Sequence, residues 1–226
     1  MTTNGNRFCA AFPRTPGVPG KMAMLNAKKW EPGTVLGIRF LSGSTTLQDR
    51  VVNAANMWLQ FANLAFDFRD TGSATIRIDF MEGKGSWSYI GTDALSFTDQ
   101  ATPTMNYGWL NDETPDEEVR RVVLHEFGHA IGMIHEHLSP LHPVQWNREQ
   151  VIKDLSGPPN NWDLQTIENN MFARIPPEDV SGTSTDPTSI MMYPIPTSWT
   201  LDGTTAGMNI SLSETDKDFV RQAYPF

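Results

Sequence analysis

The sequence predicts an α+β domain built in two parts around one helix. Three observations carry that expectation: short strand-like apolar runs before residue 110, two amphipathic stretches of helical period, and a proline-rich second half with weak periodicity. At 226 residues and 39% hydrophobic content the chain is long enough to bury a good-sized core. A formal charge of −9 with no Lys/Arg cluster argues against a nucleic-acid partner, and no apolar run approaches the length of a membrane span. The amino-terminus lacks the apolar core of a secretory signal. Cys9 is the single cysteine, so an internal disulfide framework is excluded.

Residues 1–28, with Pro13, Pro16, Gly17, Pro19 and Gly20, read as an extended arm or pro-segment remnant lying across the surface of a catalytic domain of residues 29–226. That domain divides into an upper part to about residue 132 and a lower part over 133–226. Val35, Ile38, Phe40 and Leu41 suggest a first strand over 35–41, following the turn Glu31-Pro32-Gly33. Val51, Ala55, Trp58, Leu59 and Ala62 recur at helical spacing and predict a helix over 47–63. Ile76, Ile78 and Phe80 alternate with polar residues, as in a strand facing inward on one side. Residues 83–91 form a glycine-flanked aromatic strand, and 105–110 a further short one. Thr114, Pro115 and Glu117 read as an N-cap, a first-turn proline and a capping-box partner, starting a second helix whose buried stripe is Val119, Val122, Val123, Ala130 and Ile131. Short helices are expected over 148–155 and 163–171.

The second helix carries His125-Glu126-Phe127-Gly128-His129-Ala130-Ile131-Gly132-Met133-Ile134-His135. Residues four apart share a helix face, so His125 and His129 can present two imidazole nitrogens to one ion beside Glu126. Gly132, free to adopt the left-handed conformation, turns the chain back so that His135 supplies a third nitrogen. Three protein ligands leave a fourth tetrahedral position for water, which is a catalytic zinc site; a structural site is closed, usually by cysteines. The full pattern is a zinc-protease signature. Trp87, Ser88, Tyr89 and Ile90 then offer a sheet edge on which an extended peptide can be laid. His137 and His142 fall outside the ligand spacing. No loop carries regularly spaced carboxylates, so no calcium site is expected.

Ser189-Ile190-Met191-Met192-Tyr193 completes a resemblance to the metzincins, in which a methionine turn floors the three histidines. Glu136 directly after the third histidine, and Tyr193 in the turn, resemble the astacin branch. The likeness extends more loosely from about Trp30 to Tyr224, including residues 85–91 and a closing segment over 209–224 with Leu212, Ser213 and Asp216. It departs from astacins in lacking disulfides and an aspartate pro-segment motif.

The resemblance implies a metzincin-like zincin fold: a twisted mixed sheet with an active-site helix and a backing helix, then an irregular lower subdomain ending in a C-terminal helix. It implies Met191 as the floor, Tyr193 as a fifth zinc ligand able to swing off and donate to the oxyanion, and a specificity wall over about 175–199. The expected activity is zinc-dependent endopeptidase hydrolysis of extended polypeptides, with Glu126 as general base. The competing readings are a zinc-containing binding or adhesion module and a non-peptide amide hydrolase. Expected partners are a protein or peptide substrate, with no nucleic acid and no membrane insertion, for a monomer that is secreted or exported by a route the chain does not show, with a cytoplasmic location as the alternative. Cys9 reads either as a plain, partly buried thiol or as a thiolate in the metal's open position, as in latent matrixins, although the residues around it do not match the matrixin motif.

Overall fold

A computed structural model describes residues 7–12, 24–138, 144–173, 180–181 and 185–226. The sequence expectations concerning Pro13 to Gly20, Pro140, His142, Pro143 and the stretch 174–179 lie outside the described residues.

Among the described residues eight strands form in chain order: β1 (Ala10–Phe12), β2 (Met24–Leu25), β3 (Val35–Phe40), β4 (Ala65–Phe68), β5 (Ile76–Asp79), β6 (Ser86–Tyr89), β7 (Met105–Tyr107) and β8 (Val180–Ser181). Six build one mixed sheet in the order β1-β6-β7-β5-β3-β4, and β2 pairs antiparallel with β8. Within the large sheet β3, β4, β5 and β7 run parallel, while β6 is antiparallel to β7. The helices are α1 (Thr45–Ala55), α2 (Asp116–Ala130), α3 (Arg148–Ser156), α4 (Leu164–Ile167) and α5 (Glu214–Ala223). The mixed sheet, two upper helices and C-terminal helix agree with the expected α+β architecture.

Several local expectations need correction. The predicted helix over 47–63 is α1, capped by Ser44 and ended at Ala55, and its last apolar residues fall in a separate 3-10 turn, Trp58–Gln60. Thr114 and Glu117 form no capping box: the Thr114 hydroxyl accepts from the Asn111 N–H at 3.0 Å, and Pro115 takes the cap position. Asp116, Glu117 and Glu118 in the first turn instead complement the positive end of the helix dipole. In β5, Ile76 and Ile78 are buried as expected and Phe80 is only half-buried. Arg77, read as outward, is buried too, because its guanidinium donates to the carbonyls of Thr102, Ala74 and Phe97. The strand over 105–110 is shorter than expected, ending at Tyr107.

The upper core fixes α2 in place. Trp58 is fully buried between the helices, and its indole N–H donates to the Leu124 carbonyl at 3.0 Å. Such a side chain removed to alanine costs about 3–5 kcal/mol. At the other end of α2 the orphan carbonyls are satisfied from afar: Trp30 donates to Ala130 at 2.9 Å and the Tyr224 hydroxyl to Ile131 at 2.6 Å. A second apolar cluster, with Val151, Leu155, Ile167, Met171 and Trp199, builds the lower part from α3, α4 and the following segment. The histidine face of α2 lies between these two cores.

Candidate metal centre and substrate groove

Gly132, at φ +98°, ends the helix and lets the chain double back. The N–H of Gly132 donates to His129 and that of Met133 to Gly128, closing the turn. His135 thereby comes to face the helix. Among the described residues, His125, His129 and His135 form a group whose candidate ligand atoms all lie within 4.8 Å of one another.

Each of the two helical histidines is oriented by a backbone carbonyl. His125 donates through Nδ1 to Ile190 at 2.8 Å and His129 through Nδ1 to Met133 at 2.9 Å. With the proton on Nδ1, each Nε2 lone pair points inward, the orientation a metal ligand needs. Nε2 of His129 lies 3.1 Å from Nε2 of His135, and Nε2 of His125 is buried without a hydrogen-bond partner. Burial first, and then neighbouring imidazoles, push His125 and His135 well below the ordinary histidine range; burial also pushes His129 down to about 4. All three are therefore neutral donors. This set fits zinc, which takes imidazole nitrogens in a tetrahedral site with room for water.

Glu126 follows His125 and is wholly buried. Burial raises its carboxyl to about 8, with Cys9 and Arg121 acting in the opposite direction. The Cys9 thiol is near enough to favour the ionised carboxylate, but its geometry falls short of a hydrogen bond, and both carboxylate oxygens lack one. A buried carboxyl without partners beside three inward imidazoles is a strained, costly arrangement unless an ion and a water complete it.

The methionine turn is held under this group from both sides. Asp216, buried at the start of α5, accepts from the Ser189 hydroxyl at 2.6 Å and the Ile190 N–H at 2.9 Å. The Ile190 carbonyl in turn holds His125, and the Met191 carbonyl accepts from Glu136 N–H at 3.0 Å. Met191 is fully buried, and a Cβ added at Gly128 would lie 2.4 Å from its sulfur. Only glycine allows the helix to sit so close on the turn. Glu136 also accepts from the Asp186 N–H at 2.9 Å, tying a second loop to the third histidine.

Tyr193 packs on His135 with ring centroids 4.1 Å apart, and its hydroxyl donates to the Cys9 carbonyl. His137, expected outside the ligand set, stacks on His135 and donates to the Asn170 carbonyl at 2.7 Å.

The described part of the amino-terminal arm, residues 7–12, runs into the sheet. β1 pairs in parallel with β6, placing Ala10, Ala11 and Phe12 opposite Trp87, Ser88 and Tyr89. The edge strand expected to be open is thus covered by the chain's own arm, and it ends at Tyr89, with Ile90 buried just beyond. Phe8 and Cys9 are buried, and the sequence carried no periodicity that could have shown it. Burial, followed by the Glu126 carboxylate, raises the Cys9 thiol well above its usual value; a bound metal cation acts oppositely on a thiol.

Three inward histidines, an adjacent buried glutamate and a methionine turn on a mixed sheet define a zinc-dependent peptidase of the metzincin type. The family model for Astacin, a peptidase family, matches residues 23–224. The chain belongs to the astacin family and is a zinc metalloendopeptidase. Two solved structures of myroilysin are similar: one at 39% identity and TM-score 0.86, covering 90% of this chain and 98% of that one, the other at 35% and 0.72, covering 99% and 93%. High choriolytic enzyme 1, a hatching-enzyme zinc-protease from the medaka fish Oryzias latipes, shares the fold at 15% identity and TM-score 0.59, covering 91% and 98%. No match was found among curated protein sequences.

Proposed function

We propose that the chain is a latent form of this endopeptidase, in which residues 7–12 occupy the groove that an extended polypeptide substrate takes after the arm leaves. The observation that carries the reading is the seating of Cys9: its side chain is buried beside Glu126, its carbonyl accepts from Tyr193, and the following strand lies on β6. The arm's peptide backbone is where a substrate's would be. Its Cys9 side chain is the latency thiol of this reading. Such a latent enzyme suits export as a monomer, with activity released away from the site of synthesis. Among the described residues no helix is long and apolar enough to cross a membrane.

His125, His129 and His135 would hold the zinc, which would supply a Lewis acid able to acidify a water and polarise a carbonyl. Glu126 takes the proton of the attacking water and returns it to the leaving amine, the work of a general base and then acid. Its burial keeps it within reach of the water and away from competing solvent. Met191 keeps the histidines in register from beneath. Trp87 to Tyr89 align the substrate through main-chain hydrogen bonds and keep the scissile bond over Glu126.

Tyr193 already donates to a peptide carbonyl in the groove, that of Cys9. With the arm gone, the same hydroxyl is placed to donate to the oxygen of the substrate carbonyl as negative charge develops there. Tyr193→Phe is expected to lower kcat by about 10²-fold with KM little changed, the loss typical of one oxyanion donor. Steady-state kinetics on the activated enzyme check this; an unchanged kcat removes Tyr193 from the chemistry.

A further inference from the structure

The residue before Cys9 fills a pocket of its own. Phe8 is 7% exposed, its ring stacked on Trp199 with centroids 5.3 Å apart and an interplanar angle of 27°. It meets Tyr193 edge-on at 5.3 Å and Trp162 at 6.3 Å. Its backbone N–H donates to Asn160 Oδ1 at 3.0 Å. The pocket continues the lower apolar cluster, which includes Met192 and Ile195, and it borders a cavity of about 630 Å³ that Trp109, Gly85 and Trp162 line.

We propose that this pocket selects the substrate, accepting an aromatic side chain on the leaving-amine side of the scissile bond. The inference rests on the reading of the arm as an occupant of the substrate groove. Cys9 lies at the reacting centre, so the pocket one residue away adjoins the bond that is cut. The arm lies parallel to β6, whereas the more stable pairing for an incoming peptide is antiparallel. A peptide laid that way crosses the site in the opposite sense. Its residue in the Phe8 position therefore follows the scissile bond. Three aromatic walls favour a flat ring in stacked and edge-on contact. Among the described residues the ring of Phe8 meets Trp162, Tyr193 and Trp199, which give a carboxylate no charge to replace its hydration, and alanine leaves these walls unfilled.

The test uses the full-length, zinc-loaded chain carrying Phe8→Ala and Cys9→Ser, assayed with a peptide series varied only at the residue after the scissile bond. Peptides with Phe, Tyr or Trp there are expected to exceed the Ala and Asp peptides by roughly ten-fold or more in kcat/KM. Adding Trp162→Ala, a half-buried residue at the margin of the lower apolar cluster, should shrink that preference several-fold while changing cleavage of the Ala peptide less. The level of activity relative to the native chain reports on the arm; the residue preference, read on whatever activity is present, reports on the pocket. Equal rates across the series, a preference for Asp, or a preference untouched by Trp162→Ala overturns the proposal. Should no peptide be cut, binding of the Phe and Ala peptides is compared by tryptophan fluorescence, and equal affinity overturns it as well.

Discussion

Glu126→Gln is expected to lower kcat by about 10²–10⁴-fold while zinc remains bound and the fold intact. The substitution keeps the size of the side chain and removes its capacity to take a proton. Among the described residues nothing near it is placed to substitute. Arg121 is a cation paired with Glu118 at 2.7 Å, and Tyr193 is a buried phenol whose ionisation burial pushes well above its usual range. His125 and His129 are held through Nδ1 by backbone carbonyls, which leaves their Nε2 lone pairs to the metal, and His135 is the third nitrogen of the same group. KM should change little, because the glutamate contributes to the transition state more than to substrate binding. Steady-state kinetics with metal analysis of the same sample provide the check; a variant retaining more than a tenth of native kcat would require another base.

Cys9→Ser in the full-length chain is expected to raise the starting rate of peptide cleavage by roughly ten-fold or more, since a soft thiolate binds zinc far better than a hydroxyl does. Native Cys9 is buried and acts on the Glu126 carboxyl, so its side chain is the one changed at the reacting centre. The backbone pairing of β1 with β6 survives the substitution, and so does the seat of Phe8. Release is therefore expected to be partial, with a further rise once a protease nicks the chain between β1 and β2. The measurement is the initial rate before and after limited proteolysis, for both chains. Identical starting rates for native and Cys9→Ser would mean that the thiol plays no part in latency.

The catalytic helix was legible because its logic is local. His125 and His129 are one turn apart, and Gly132 is followed three residues later by His135, so spacing alone predicts the group that the fold assembles. The methionine turn was legible through family resemblance, not through periodicity. What holds that turn was not: Asp216 reaches Ser189 and Ile190 across 27 and 26 residues, and no short-range pattern announces such a bond. The arm escaped for the same reason. Ala10 pairs with Trp87, and Phe8 finds a pocket made by Trp162, Tyr193 and Trp199, all distant in sequence. Thr114 misled because a threonine before proline can cap a helix or close a turn, and here Asn111 supplies the nearer partner. Arg77 misled because an arginine in an alternating strand reads as outward unless the carbonyls awaiting it are known.

One zinc, held by His125, His129 and His135, is expected to be required for peptide cleavage. The most direct test measures zinc content and cleavage rate on one sample through a cycle of chelation, dialysis and zinc return, alongside His135→Ala. The account predicts one zinc per chain, cleavage lost and regained in step with it, and weak zinc binding with no cleavage in the variant. Cleavage that persists in the zinc-free chain, or a His135→Ala protein that keeps both its metal and its rate, would contradict it.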